Sequence, residues 1–396
     1  MALRPQEGSS KLKFTVLGAG MMGCATVYDL ARSKTVDEIL VGDYDLPRAE
    51  TVAQRFGAGK ARAISVDVRD AAALAKILDC SEAVLNCTQY YWNLQVMRAA
   101  LVARAHYLDL GGLFYTTRKQ LMLDDEFRKV GKLAILGIGS APGIANVMAR
   151  YLADQLDRVD CIGVYNGSRD FQTYPDALAF GFSIATILDE LTIPPVAFIK
   201  RKFAEQEQFS GAETIRFPKP IGRLVMRHSI HSEVATLPLS FKDKGIREVS
   251  FKINYDPQLM ESVRLLNGIG LMEQKPVRIE DRDISPRAFL EQLLKSRPPS
   301  GKSPKDVETI LVIARGAKGK VRKELSLSAT ARYTRKPDFS AVARDTGFPI
   351  SIAAQMIASG AIDVTGVHPP ETAIPPLPFL RELKARQIRI SGSSWH

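Results

Sequence analysis

From Lys13 to about Asp157, short apolar runs alternate with amphipathic stretches. The runs FTVLG, EILVGD, ARAISVDV, EAVLNCT, HYLDLG and LAILGIG have strand length. They are apolar almost throughout, as strands covered on both faces are. Helical periodicity fills the gaps at Met21–Ser33, Pro47–Phe56, Ala71–Leu78, Trp92–Arg104 and Thr116–Val130. Another helix is expected to start at Pro142, where a missing N–H is harmless. This alternation predicts a parallel sheet with right-handed crossovers and helices on both faces.

The pattern changes after about Asp157. CIGVYNGS, TIRFPKP, GRLVMRHS, EVSFKINYD, ETILVIARG and KELSLSATARY alternate apolar and polar positions. They predict a mainly antiparallel sheet with one covered face. Helical pieces interrupt them at Asp176–Leu191, Pro257–Leu266 and Pro286–Lys295. Arg297–Lys305 is a polar Pro/Gly/Ser stretch and reads as a mobile loop. Asp338–Ala361 returns to helix, with Asp338 as its expected cap and Gly360 near its stop.

The first strand enters Gly18-x-Gly20-x-x-Gly23, and Asp43 ends the next apolar run twenty residues later. In strand–turn–helix–strand context this is a dinucleotide fingerprint. Gly18 makes the tight turn, Gly20 admits a pyrophosphate, and Gly23 lets helix and strand pack closely. The helix N-terminus offers free N–H groups and positive dipole to phosphates. Asp43 is expected to accept from a ribose diol and to repel a 2′-phosphate, which favours NAD over NADP, with nearby Arg48 softening that preference. The expected cofactor-lining residues at the turn are Gly18, Ala19, Gly20, Met21, Met22, Gly23, Asp43 and Tyr44. Asp67, Val68, Asn86, Cys87 and Gly143 join them from later strand ends.

Composition changes this picture little. The chain has 396 residues, 45% hydrophobic and 24% charged, which suits a multidomain globular enzyme. Met1–Ser10 reads as a loose polar leader, and no apolar run reaches membrane-spanning length. Four cysteines (Cys24, Cys80, Cys87, Cys161) lack metal or paired spacing and are expected as reduced thiols in a cytoplasmic protein. The net charge of +11 raises nucleic-acid binding as an option. The densest basic segment, ARGAKGKVRK ending at Lys323, lacks the aromatics that base stacking requires. It reads as a hairpin turn on a solvated rim, so neither nucleic acid nor membrane is expected as a partner.

Several segments resemble the saccharopine dehydrogenase-like family. They are VLNCTQYYWN at Val84–Asn93, HYLDLGG at His106–Gly112 and APGIANVMARYLAD at Ala141–Asp154. HSE-x-x-T-L-P at His231–Pro238 belongs with them, as do ARDTGFPISIAAQMIASGAI and TGVHPPE between Ala343 and Glu371. The length and the HSE segment look most like its lysine 6-dehydrogenase branch. The resemblance implies an α/β protein with an N-terminal Rossmann doubly wound sheet (11–157). A mixed, mainly antiparallel α+β substrate and dimerisation domain (158–337) follows, and a C-terminal helix and tail (338–396) pack back on the first part. It further implies pairing as a homodimer or dimer of dimers. The implied activity is NAD-dependent oxidation at an amino-acid C–N bond. L-lysine ε-deamination, with cyclisation of the semialdehyde to a piperideine carboxylate, leads. A saccharopine or carboxynorspermidine type of dehydrogenase or reductase is the alternative, and a non-catalytic NAD(H)-binding regulator the rival of another class.

Such chemistry needs a proton acceptor and anchors for the substrate. Asp109, after the fifth strand, is one candidate acid or base. In RHSIHSE, His231 and Glu233 share one strand face, so Glu233 can raise the basicity of His231. His228 would face the other way, and no third ligand suggests a metal. Tyr90, His228 and Thr236 are candidate substrate contacts, and Arg223 and Arg227 candidate carboxylate anchors.

Overall fold

The computed structural model describes residues 12–172, 183–296, 304–393 and 395. The expected leader Met1–Ser10 lies outside these, as do 173–182 of the expected helix Asp176–Leu191 and 297–303 of the expected loop Arg297–Lys305.

The first half runs β1 (Lys13–Leu17), α1 (Met21–Arg32), β2 (Glu38–Asp43), α2 (Leu46–Phe56), β3 (Ala61–Ser65), α3 (Ala71–Leu78) and β4 (Ala83–Asn86). It continues with α4 (Asn93–Val102), β5 (His106–Asp109), α5 (Leu113–Leu121), α6 (Asp124–Lys129) and β6 (Leu133–Ile135). All strand pairs are parallel, in the order β3-β2-β1-β4-β5-β6. The order reverses between β1 and β4, which opens a crevice at their C-terminal ends. The expected helix Thr116–Val130 is two helices. Asp124 starts the second, where its carboxylate binds the N–H of Val367 (2.7 Å) and Arg128 (2.8 Å).

The second half begins with α7 (Ile144–Ala153), β7 (Arg158–Asp170), α8 (Ile184–Glu190), β8 (Val196–Ile199), β9 (Lys202–Glu205), β10 (Glu213–Arg216) and β11 (Arg223–His228). Then come α9 (Glu233–Ser240), β12 (Glu248–Asn254), α10 (Pro257–Gly268), β13 (Val277–Ile279), β14 (Arg282–Ile284) and α11 (Pro286–Ser296). β15 (Asp306–Lys318) and β16 (Val321–Arg332) form a long hairpin whose turn carries the basic segment. There Arg315 pairs with Glu324 (2.6 Å) and Lys318 with Asp157 (2.7 Å). The main strand path is β10-β11-β12-β7-β15-β16, parallel only at β12–β7.

The C-terminal stretch ties the halves together. After the short β17 (Thr334–Arg335) and β18 (Asp338–Phe339) come α12 (Ala341–Ala358), β19 (Gly366–His368), α13 (Pro370–Ala373), α14 (Pro376–Ala385) and β20 (Arg389–Gly392). β19 extends the first sheet beside β6, and β20 extends the second beside β16. Thus the tail serves both sheets. The cap of α12 is Ser340, whose hydroxyl accepts from Ala343 N (3.0 Å), while Asp338 sits in β18. The helix expected to close the first domain, α7, packs instead on β15 and β16, because its apolar face is wide and buried there. The passage between halves therefore falls near Gly137–Gly143.

Helix α12 lies along α1. Gly347 makes that approach: a Cβ there would stand 2.7 Å from Ala25 Cβ and 2.8 Å from Met22 O. Thr26 donates to Gly347 O (3.0 Å), and Asp29 accepts from Ser351 (2.7 Å) and Arg386 (2.6 Å). Among the described residues no helix is long and apolar enough to cross a membrane. Gly347→Val should therefore destabilise the fold by about 1–3 kcal/mol through overpacking. Urea unfolding measures this, and an unchanged midpoint would contradict the α1–α12 contact.

Candidate active site

The glycine turn has the geometry that a pyrophosphate requires. Gly18 has φ +94°, and a Cβ on it would lie 2.7 Å from Cys87 O. A Cβ on Gly23 would meet Gly18 O at 1.8 Å. A Cβ on Gly20 would have nothing within 4 Å, so the turn is open on that side. Gly20 caps α1 without a side-chain bond, and no acid occupies the first turn. The first α1 N–H groups, at Met21 and Met22, are thus left for an anion. These residues fit a dinucleotide phosphate bridge.

Asp43 has a structural task in the turn. Its oxygens accept from Ala19 N (2.7 Å) and Asp45 N (2.9 Å), so it braces the glycine turn. A carboxylate oxygen accepts more than one bond, which leaves capacity toward a ribose. Tyr44 beside it is exposed, and Asp67 on the rim is clasped by Arg69 (2.6 Å). Val68 is half-buried against the apolar cluster that includes Leu17, Val66 and Leu74. Cys87 is half-buried, and the loss of solvent around its sulfur pushes the thiol up to about 12, which makes it inert at neutral pH. Asn86 is fully buried and builds the turn after β4, accepting from Thr88 N (3.2 Å) and its hydroxyl (2.6 Å). Gly143, at φ +127°, closes a tight loop against Gly139.

Asp109 does not serve as an exposed acid or base. It is 1% exposed, and one oxygen accepts from Gly111 N (2.9 Å) and Gly137 N (2.7 Å). The other accepts from Gln120 (2.6 Å), Tyr107 (3.0 Å) and Asn93 (3.2 Å). Five donors thus meet its two oxygens, and it organises the strand end.

The RHSIHSE segment reaches this same strand end. Its strand stops at His228, a loop follows, and α9 starts at Glu233. Ser232 pins the loop: its hydroxyl accepts from Gly112 N (3.3 Å) and donates to Leu113 O (3.2 Å). The expected His231–Glu233 pair forms, although across a loop–helix junction rather than along a strand. His231 Nδ1 and Glu233 Oε2 are 2.5 Å apart, and the ring stacks on Phe251. Burial pulls the imidazole down, but the Glu233 charge and hydrogen bond, backed by Glu190 and Glu308, leave it above 6.5. Nε2 has no partner among the described residues. His231 is therefore an oriented base with one nitrogen free.

The other expected contacts scatter. Tyr90 donates to Asp189 (2.8 Å), as does Tyr91, and Arg287 holds the other Asp189 oxygen (2.8 Å). This cluster ties the loop after β4 to α8 and α11. Thr236 is buried beside Asn146 (3.4 Å), which also binds Glu371 (2.8 Å). His228 packs on the Gly211 turn, and burial and Lys252 push it down to about 4. Arg223 is exposed, and Arg227 donates to Phe209 O (2.9 Å). Neither arginine joins His231.

Residues not anticipated from the sequence complete the site. Glu190 ends α8, and Glu308 lies on β15, where it accepts from Ser140 (3.2 Å) and Asn166 (3.3 Å). Asp306, Glu308, Ile310 and Val312 share one inward strand face, so an acid among apolar neighbours was the available signal for Glu308.

Comparisons with known proteins cover the chain. Residues 14–135 match the family described as saccharopine dehydrogenase NADP binding domain, and 139–388 the saccharopine dehydrogenase C-terminal domain. Carboxyaminopropylagmatine dehydrogenase from Synechocystis sp. is 22% identical, covering 97% of both chains. Saccharopine dehydrogenase [NADP(+), L-glutamate-forming] from Schizosaccharomyces pombe is 29% identical over 34% of this chain and 28% of that one. Apo saccharopine dehydrogenase (L-Glu forming) from Saccharomyces cerevisiae has the same fold, with TM-score 0.72 and 18% identity over 97% of this chain and 100% of that chain.

Two outcomes test the assignments. Asp109→Asn should cost about 2–3 kcal/mol in urea unfolding, because donors lose a charged acceptor; a neutral effect would contradict its bracing role. For amine oxidation, kcat should rise with pH through an ionisation above 6.5, as neutral His231 forms. His231→Gln should lower kcat about 10²–10⁴-fold and remove that limb. Glu233→Gln should move the limb to lower pH, since it removes the charge that holds the imidazolium.

Proposed function

The chain belongs to the saccharopine dehydrogenase family and is an oxidoreductase, and we propose that it acts on a secondary amine joining an amino-acid arm to a second, cationic amine. The observation that carries this reading is the oriented His231, with Nε2 free, set against the C-terminal edge of a dinucleotide-type sheet. The end-to-end likeness to a carboxyaminopropylagmatine dehydrogenase supports that substrate type. The lysine reading has the HSE segment in its favour, and no contact in the site singles it out.

The bound nicotinamide ring supplies the acceptor or donor of hydride. In the oxidative direction the C–H hydrogen leaves with its electron pair and an iminium remains. Water adds at carbon as His231 Nε2 takes one of its protons and passes it to the amine nitrogen; the C–N bond then breaks as the carbinolamine hydroxyl gives its remaining proton back to Nε2, leaving an aldehyde and a free amine. Glu233 holds the imidazole and balances its charge. The acidic surroundings favour the growing positive charge of the iminium. The reductive direction runs through the same states. We assign a preference for NAD to Asp43, whose carboxylate repels a 2′-phosphate, and pairing of two copies through the second sheet.

The test is a substrate panel with both cofactors. Carboxyaminopropylagmatine should be oxidised with a kcat/KM at least about tenfold above those of lysine and saccharopine, and faster with NAD than with NADP. Lysine as the best substrate would restore the ε-deamination reading. Absence of turnover with every amine would overturn the enzyme reading.

A further inference from the structure

Around His231 the protein gathers more buried acid than its own bases balance. Glu190 reaches in from α8, Glu233 from α9 and Glu308 from β15, with Asp345 of α12 behind. The side chain of Glu233 is fully buried, and its Oε1 has no hydrogen-bond partner among the described residues. Asn166 Oδ1 and Asp345 Oδ1 are buried and equally without one among the described residues. Glu190, 7% exposed, has no partner for its carboxylate among the described residues. Glu308 uses only Oε1, toward Ser140 and Asn166. Among the described residues the acceptors thus outnumber the donors, and His231, against Glu233, is the one basic side chain in direct contact.

The neighbouring bases are engaged elsewhere. Arg287 is held by Asp189 and Glu291 (2.9 Å), and Arg344 donates to Arg332 O (2.7 Å) and Arg386 O (2.8 Å). Lys252 pairs with Glu213 (2.8 Å). Buried acceptors without donors are costly, so natural sites keep them for a ligand or a charge. No three of these acids converge closely enough to hold a metal ion among the described residues. Their spread suits a wider organic cation with several N–H donors.

We propose that Glu190, Glu308, the free oxygen of Glu233 and Asn166 form the subsite for the cationic end of the substrate, a guanidinium group. This rests on the cleft being the substrate site, as argued above, and assigns which side chains select the cation. The electrostatics agree. Burial pushes Glu190 and Glu308 up to about 7, aided by Asp189 and Glu233 at the first and by Asp306 and Glu190 at the second. His231 opposes the shift at Glu190, and Ser140 and Asn166 oppose it at Glu308. Asp345, itself raised by burial and by Glu308, adds no cation, and Tyr255 faces Glu190 as a neutral phenol. A cation seated among them is the charge that lets both acids ionise.

Isothermal calorimetry with the full chain tests this without turnover. The probes are agmatine and 1-aminobutane, which share a primary amine on a four-carbon stem and differ in the guanidinium. Agmatine should bind at least about tenfold tighter than butylamine. Glu190→Gln and Glu308→Gln should each lower that ratio by about fivefold or more at unchanged melting temperature. Equal binding of the two amines by the unaltered protein would overturn the proposal, and so would a full ratio in both variants. Should Glu308→Gln not fold, the unaltered protein and Glu190→Gln still decide it. A protein that selects agmatine but oxidises no amine keeps the subsite and loses only the catalytic reading.

Discussion

The carboxylate of Asp109 is the point on which the site hangs. It gathers Gly111 and Gly137 with one oxygen and Asn93, Tyr107 and Gln120 with the other. That fixes the backbone after β5 and β6 where the second half meets it. Pro142 packs into the space that Cβ atoms on Gly111 and Gly137 would fill, and Ser232 anchors beside Gly112. The loop bearing His231 therefore inherits its position from a buried acid. A charged acceptor serves better here than an amide, because charge-assisted bonds are about twice as strong.

Much of the first half was legible because its strands are buried on both faces and its helices amphipathic. The two signals do not overlap, so boundaries fell within a few residues. The glycine turn was legible for the same local reason, since each glycine answers a contact within a few residues or with the next strand end. What the sequence left hidden depends on partners far along the chain. Asp109 looked like a strand-end acid, and its five donors became visible only with the fold. Helix α7 looked like one more crossover helix, yet the face it buries belongs to β15 and β16.

The His231–Glu233 pair shows a reading that survives a wrong premise. Spacing on a strand suggested it, but the backbone leaves the strand at His228 and enters a helix at Glu233. The two side chains still meet, because the turn between them brings the ring back over the helix N-terminus, against Phe251. The acids that surround the pair come from segments about 40 and 75 residues away in sequence, too distant for any local pattern to join them. Collecting acids about a single base sets the polarity of the site. It stabilises an imidazolium, disfavours further anions and welcomes a cation.

The central claim is that the crevice at the β1–β4 switch point and the His231 loop form one reaction chamber. A crystal structure of the protein with NAD and agmatine tests it most directly. The account requires the pyrophosphate on the Gly18–Gly23 turn, the nicotinamide ring facing His231, and the guanidinium within hydrogen-bond distance of Glu190 or Glu308. A dinucleotide seated with its redox ring away from His231, or an agmatine bound outside the acidic cluster, would contradict it.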